Sequence, residues 1–251
     1  MRLAAACAIG LSATFALSWS AVAAVQQQDE NWRRCTVGDP EISLAGCSAI
    51  IQSGGKDKTS LAAAYYDRGA AYAHKSQYGE SIQDYDQAIQ LTPDDAQAFN
   101  NRGVAYAGAG QYDRAIQDYD QAIARNPGYA EAFYNRGIAH RRSGDLDLAI
   151  ADYDQAIRLK PDLVQAFNNR GVAYHAKRQY DRAIQDYDQA IRMKPDLAEA
   201  FNNRCLAYLK KLQYDRANLD FNQTIRLNKD YGNALVNRDL GAAEAPLHGP
   251  P

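Results

Sequence analysis

From residue 62 to residue 231 apolar side chains recur at helical spacing, in blocks separated by short polar or Gly/Pro turns. In the block Asp113 to Arg125, Ala115, Ile116, Tyr119, Ala122 and Ile123 fall at i, i+1, i+4, i+7 and i+8, one face of an α-helix. Asn126-Pro127 ends it, because proline cannot continue a helix and steers its predecessor away from helical backbone. The block before it, Ala96 to Ala109, is rich in good helix formers and stops at Gly110. No alternating strand pattern occurs anywhere in the sequence, so the pattern predicts an all-α fold.

The blocks are copies of one unit. Tyr65-Tyr66-Asp67-Arg68-Gly69, Phe99-Asn100-Asn101-Arg102-Gly103, Phe133-Tyr134-Asn135-Arg136-Gly137, Phe167-Asn168-Asn169-Arg170-Gly171 and Phe201-Asn202-Asn203-Arg204-Cys205 follow one another at steps of 34 residues. Pro93, Pro127, Pro161 and Pro195 share the step. Five units result, at 62–95, 96–129, 130–163, 164–197 and 198–231. Numbered from its first residue, the second unit has Phe99 at position four, Gly103 at eight, Tyr106 at eleven, Ala115 at twenty, Tyr119 at twenty-four, Ala122 at twenty-seven and Pro127 at thirty-two. The fourth repeats this with Phe167, Gly171, Tyr174, Ala183, Tyr187, Ala190 and Pro195. This signature resembles the tetratricopeptide repeat (TPR) family. The resemblance implies a right-handed superhelical solenoid of antiparallel helix pairs, with the first helix of each pair lining a concave groove. The third unit departs from the signature at His140, and the fifth at Cys205, Thr224 and Lys229, which is expected to loosen packing locally.

The small residues have a steric purpose. Gly103 on a first helix must approach Ala115 on the second, and neither has bulk to hold the helices apart. One hairpin cannot bury its own apolar face, so stability becomes a sum over stacked neighbours. The ends should then act as caps. Residues 232–243 restart the first-helix string as Leu235-Val236-Asn237-Arg238 and stop at Gly241, which reads as a capping helix; 244–251 reads as a disordered tail. Within 25–61, Glu41 to Ile51 mimics a second helix and puts Cys47 in register with Tyr119. That makes the segment a degenerate half-repeat, with four extra residues within Ser53 to Asp57.

Composition and the N-terminal sequence add two exclusions, one targeting signal and one anomaly. The 251 residues carry a formal net charge of −2, which lacks the basic excess of a nucleic-acid footprint. The mean hydropathy of −0.53 excludes a multi-pass membrane protein. Residues 1–24 read as an export signal: Arg2, an uncharged apolar run from Leu3 to Trp19, then Ala21, Val22, Ala23 and Ala24. The alternative is a retained anchor, although the run is barely long enough to span and Ser12, Ser18 and Ser20 interrupt it. Export to a periplasm, or secretion, would favour a Cys35–Cys47 disulfide and leave Cys205 as a small packing residue. The anomaly is 17 Tyr against 6 Phe. Most of these tyrosines occupy positions eleven, seventeen and twenty-four, where they pack helices; Tyr66 and Tyr134 instead fall at position five, on the expected groove.

Three sets of side chains are candidates for special roles. Every unit has Arg at position seven (Arg68, Arg102, Arg136, Arg170, Arg204) and Asp at twenty-three (Asp84, Asp118, Asp152, Asp186, Asp220). A guanidinium near a helix interface needs a carboxylate, so these are expected to be structural pairs, within a repeat or between repeats. Position six gives an amide ladder of Asn101, Asn135, Asn169 and Asn203, and position five adds Tyr66, Asn100, Tyr134, Asn168 and Asn202. Such groups can hold a peptide by its backbone, or simply bond within the array. Arg141, Arg142, His175 and Lys210, at positions twelve and thirteen, lend the later groove positive character. No catalytic set, metal-ligand spacing or cofactor motif recurs: the histidines lack metal spacing, and Gly54-Gly55-Lys56 lacks phosphate-loop spacing. The expected function is therefore a non-catalytic scaffold that holds a protein or peptide partner in the groove. The alternatives are an envelope-assembly or secretion factor touching peptidoglycan or an outer-membrane complex, and, against the absence of any catalytic set, an enzyme.

Overall fold

The computed structural model describes residues 24–55 and 57–228, and every regular element in them is a helix. In chain order these are α1 over 24–35, α2 Pro40–Gln52, α3 Lys58–His74, α4 Tyr78–Leu91, α5 Ala96–Gly108 and α6 Tyr112–Arg125. There follow α7 Ala130–Ser143, α8 Leu146–Leu159, α9 Val164–Ala176, α10 Tyr180–Met193, α11 Ala198–Lys210 and α12 Tyr214–Leu227. Two compact units divide between Gly110 and Gln111. The expected export signal, capping helix and tail lie outside the described residues.

Local chemistry sets the helix ends. Asp95 accepts from the backbone N–H groups of Gln97 and Ala98 to cap α5, and Asp57 forms a reciprocal capping box with Ser60 at the start of α3. Pro40 opens α2 behind the Asp39 cap. The turn inside each repeat needs a left-handed residue at position fifteen. Gly110 and Gly144 supply it at no steric cost, whereas Ser76, Arg178 and Leu212 adopt φ of 57–59° with side chains attached.

In the first unit α2 packs on α3, α3 on α4 and α4 on α5; α3 also touches α5. In the second, consecutive helices pack from α6 to α12, and the first helices α7, α9 and α11 touch in sequence. Among the described residues the second helices α8, α10 and α12 do not touch one another. Helices that meet lie on the inside of a bend, so α7, α9 and α11 form the inner wall of this unit.

The core alternates alanine with tyrosine. Ala149, Tyr153 and Ala173 form one buried cluster, and Ala183, Tyr187 and Ala207 the equivalent one a repeat later. A Cβ on Gly137 would come within 2.8 Å of the Tyr153 ring, and one on Gly171 within 2.6 Å of Tyr187. Glycine at position eight thus makes room for the tyrosine at twenty-four. In the fifth repeat Cys205 replaces glycine and Phe221 replaces tyrosine, and both remain buried. The expected loosening is not seen there: Cys205, Tyr208, Leu209, Ala217 and Phe221 form a continuous cluster.

The N-terminal segment corrects the half-repeat expectation. A helix, α1, precedes α2, so the segment is a pair. Gly46 of α2 lies against the α1 backbone, where a Cβ would meet the Cys35 nitrogen at 2.5 Å. Cys35, Cys47, Ile50 and Ala64 are buried together, with Trp32 and Ile51 against them. The Cys35 and Cys47 sulfurs are at bonding distance, 2.06 Å.

Candidate functional site

Position seven is occupied by a charge network that links neighbouring repeats. Arg170 donates Nε and Nη2 to the two carboxylate oxygens of Asp186 at 2.9 and 2.6 Å, and Nη1 to Asp154 of the preceding repeat at 2.5 Å. Arg204 does the same with Asp220 and Asp188, and Arg136 with Asp152 and Asp120. In the first unit Arg68 grips Asp84 at 2.7 Å through both nitrogens and gives its third donor to Ser48 on α2; Arg102 donates to Asp86 at 2.6 Å. Asp118 is buried on α6. The two alternatives left open by the sequence, pairing within a repeat and pairing between repeats, therefore coexist on one guanidinium. The partners at position twenty-five, Asp86, Asp120, Asp154 and Asp188, were visible in the sequence as a four-fold recurrence and were not singled out.

Each of these arginines is also flanked by rings of its own helix. The Arg170 guanidinium carbon lies 5.5 Å from the Phe167 centroid and 6.0 Å from that of Tyr174. With aromatic faces on the sides and carboxylates at three donors, the positive charge is fully employed and unavailable to a ligand.

The amide ladder is wired along the array. Asn101 donates Nδ2 to the Tyr66 hydroxyl at 2.6 Å, Asn169 to the Tyr134 hydroxyl at 2.9 Å, and Asn203 to the Asn168 carbonyl oxygen at 3.1 Å. Position six of one repeat thus bonds position five of the repeat before it. Asn135 is half-buried on α7. The groove expectation needs correction at three residues: Asn100, Asn168 and Asn202 are buried rather than presented to solvent. Asn100 donates to Asn101 at 3.0 Å and Asn168 to Glu199 at 3.1 Å. A helix turn of 3.6 residues cannot give adjacent positions five and six equal exposure; position five points toward the neighbouring helix. Tyr66 and Tyr134 stay half-buried and lie against Tyr85 and Tyr153, with centroids 5.6 and 6.1 Å apart.

The inner wall of the second unit also carries Arg141, His175 and Lys210. Burial pushes the His175 imidazole below its ordinary pKa, and the Lys210 charge adds to this. Burial pushes the Tyr153 phenol up to about 12, with the adjacent Arg141 charge opposing the shift. His140 is half-buried and reaches within 3.8 Å of Asp152. Among the described residues no group of His, Cys, Asp and Glu is arranged to hold a metal ion, and no helix is long and apolar enough to cross a membrane.

Comparison with known proteins agrees with this geometry. Sequence models described as "Tetratricopeptide repeat" match residues 100–164 and 164–197, and one described as "TPR repeat" matches 69–110. Together they run over 69–197, just over half of the chain. No curated protein matches the sequence. Among solved structures, a tetratricopeptide repeat protein from Parabacteroides merdae is similar with a TM-score of 0.72 at 18% identity, over 87% of this chain and 85% of that one. The MamA protein gives 0.60 at 24% identity, over 67% and 92%. YrrB, described as "a TPR protein with an unusual peptide-binding site", gives 0.60 at 20% identity, over 76% and 96%. At these identities the likeness concerns the fold: an all-α array of repeated helix pairs.

Proposed function

This chain belongs to the tetratricopeptide repeat family, and from that premise we propose that it is a non-catalytic scaffold holding an extended peptide or protein segment against its first helices. The inner wall formed by α7, α9 and α11 carries the reading. Its position-six amides are half-buried, and those of Asn169 and Asn203 are each held by a hydrogen bond to the preceding repeat. An amide offers two donors and two acceptor lone pairs, so one such bond leaves capacity for a peptide backbone at a side chain already held in place. The arginines and buried position-five asparagines are, in contrast, consumed by the array. The likeness to YrrB, which is described as having a peptide-binding site, points the same way.

We further propose that the chain works outside the cytoplasm. The uncharged run from Leu3 to Trp19 with small residues after it supports export, and the apposed Cys35 and Cys47 suit an oxidising compartment.

The test is photocrosslinking in intact cells from a reactive residue placed at Asn135 or Asn169. A single partner should be recovered, and the combined change Asn101→Ala, Asn135→Ala and Asn169→Ala should abolish its capture. Capture only from residues on the outer helices α8 and α10 would overturn the proposal.

A further inference from the structure

Asp67 breaks the pattern of position six. In the second, fourth and fifth repeats that position is an asparagine that donates to the first helix before it: Asn101 to Tyr66, Asn169 to Tyr134 and Asn203 to Asn168. Asp67, half-buried on α3, is a carboxylate and has only acceptors to offer. Across from it stands the last residue of α1, with the Cys35 sulfur 3.9 Å from Oδ2. That sulfur is joined to Cys47 and has no proton to give. Among the described residues the Asp67 carboxylate therefore has neither a donor nor an ion-pair partner. Burial raises its pKa, and no charge or hydrogen bond offsets the shift.

The carboxylate borders a cavity of about 150 Å³ between the α1–α2 turn and α3. The hydroxyls in its lining have spent their protons elsewhere. Ser43 donates to the Cys35 carbonyl at 2.6 Å, and Thr36 to the Trp32 carbonyl at 3.0 Å. His74 lies two helical turns from Asp67, roughly 10 Å along the axis of α3. The remaining walls are largely apolar, with Val37 and Pro40 on the side of the turn and Ala70 and Ala71 on α3. Thr36, Val37 and His74 are exposed, so the cavity meets solvent along that edge.

These walls define what fits. An unmet carboxylate beside apolar side chains complements a donor-rich cation carried on an aliphatic stem. A cavity of this volume holds a guest of about benzene's size, which a four-carbon chain ending in an ammonium does not exceed. A metal ion is a poorer match: among the described residues no group of His, Cys, Asp and Glu is arranged to hold one, and the apolar walls offer a hydrated ion nothing.

We propose that Asp67 and the cavity between the α1–α2 turn and α3 bind a primary alkylammonium, supplied either by a lysine side chain of a partner or by a free amine of that size. The proposal goes beyond the inner-wall reading above, because the N-terminal helix pair builds this site and no residue of the second unit takes part. Asp67 accepts the ammonium protons, and Val37, Pro40 and Ala70 cover the stem.

NMR of the isotope-labelled full chain tests this, by following the backbone amides of 36–43 and of α3 during titration. n-Butylamine is compared with 1-butanol, its neutral counterpart, and a blocked tripeptide with a central lysine with the same peptide carrying glutamine. The amine or the lysine peptide should bind at least about tenfold more tightly than its neutral counterpart. Tighter binding of the lysine peptide than of n-butylamine identifies a partner's side chain as the source, and the reverse order a free amine. Asp67→Asn installs the residue that the other repeats carry at this position, so it should keep the fold and abolish the preference. Ala70→Leu, which fills the cavity, should weaken binding at least about tenfold with Asp67 in place and helical content unchanged. Asp94→Asn, an exposed acid at the turn before α5, should alter nothing. Equal binding of charged and neutral probes, a preference that survives Asp67→Asn, an equal loss in Asp94→Asn, or no binding by either amine would overturn the site. None of these outcomes touches the reading of α7, α9 and α11, which Asn135 and Asn169 report on separately.

Discussion

Arg170 and Asp186 form a two-point contact, Nε and Nη2 onto the two carboxylate oxygens, while the third corner of the same guanidinium holds Asp154 of the neighbouring repeat. The two acids are not equivalent. The Asp186 side chain is 7% exposed and that of Asp154 50%. Burial raises the Asp186 pKa, and the Arg170 hydrogen bonds offset only part of this. A carboxylate in that position fixes geometry more than it adds net stability. Arg170→Leu should cost about 3 kcal/mol, because it strands Asp186 in the core. Asp154→Asn should cost under about 1 kcal/mol, as expected of an exposed pair. Replacing Arg170 and Asp186 together by Leu should recover most of the single-mutant loss. Urea unfolding of the three variants checks the order; a double variant less stable than Arg170→Leu would show that the pair stabilises outright.

Ser81 sits at position twenty, fully buried, with no hydrogen-bond partner for its hydroxyl. The equivalent residues are Ala115, Ala149, Ala183 and Ala217, all buried. An unsatisfied buried hydroxyl costs about 1–3 kcal/mol. Ser81→Ala should therefore stabilise by about 1 kcal/mol, a rise of about 2–4 °C in the melting temperature of a chain this size. Calorimetry reads this directly, and an unchanged or lower midpoint would show that the hydroxyl is satisfied.

Leu212 adopts φ of 59° at the turn between α11 and α12. It is 68% exposed, so its side chain contributes little packing. The left-handed conformation costs a branched residue roughly 1–2 kcal/mol, and glycine avoids that at an entropic loss of about 0.5–1 kcal/mol. Leu212→Gly should gain about 0.5–1 kcal/mol, as Gly110 and Gly144 already do in their own repeats. The same change at Gly144, to Leu, should destabilise. Thermal unfolding of both variants measures the two signs.

The helices, the repeat length and the Arg–Asp pairing were legible because each is a coincidence repeated in register. The left-handed turn was legible only at Gly110 and Gly144; Ser76, Arg178 and Leu212 carry no mark of it, since the stacked helices on either side impose the conformation. The burial of Asn100, Asn168 and Asn202 was hidden for a different reason. An asparagine reads as a surface residue, and only the approach of the next first helix turns position five inward. Helix α1 was missed because its polar stretch, Gln26 to Arg34, lacks an apolar stripe; its order comes from Trp32, Cys35 and the close approach of Gly46.

The Cys35–Cys47 apposition closes a loop of twelve residues between α1 and α2. Cross-linking a loop of that length removes unfolded-state entropy worth about 3 kcal/mol in the chain-entropy account. Mass mapping of exported protein without reductant should recover the peptides containing the two cysteines as one linked species. Cys35→Ala with Cys47→Ala should lower stability by about 2–4 kcal/mol. Reductant should shift the wild type to the same degree and leave the variant unmoved. Free thiols at both positions in exported protein would refute the bond.

His175 gives the fold a pH dependence of predictable sign. Its imidazole faces Lys210, the Tyr180 ring at 5.2 Å and the Leu206 backbone, and burial together with Lys210 lowers its pKa below the ordinary 6.5. Well above pH 6.5 the group is neutral in both folded and unfolded chains and contributes nothing to the pH slope. As the pH falls through 6.5 the unfolded chain takes up the proton first, so stability declines until the folded-state pKa is passed. The wild type should accordingly lose more stability than His175→Gln between pH 7.5 and the acid side of that window. Lys210→Gln should leave part of the loss in place, since burial is the larger cause and persists without the charge. Denaturant titrations of the three proteins across that range measure the slopes; equal slopes for wild type and His175→Gln would remove His175 as the sensor.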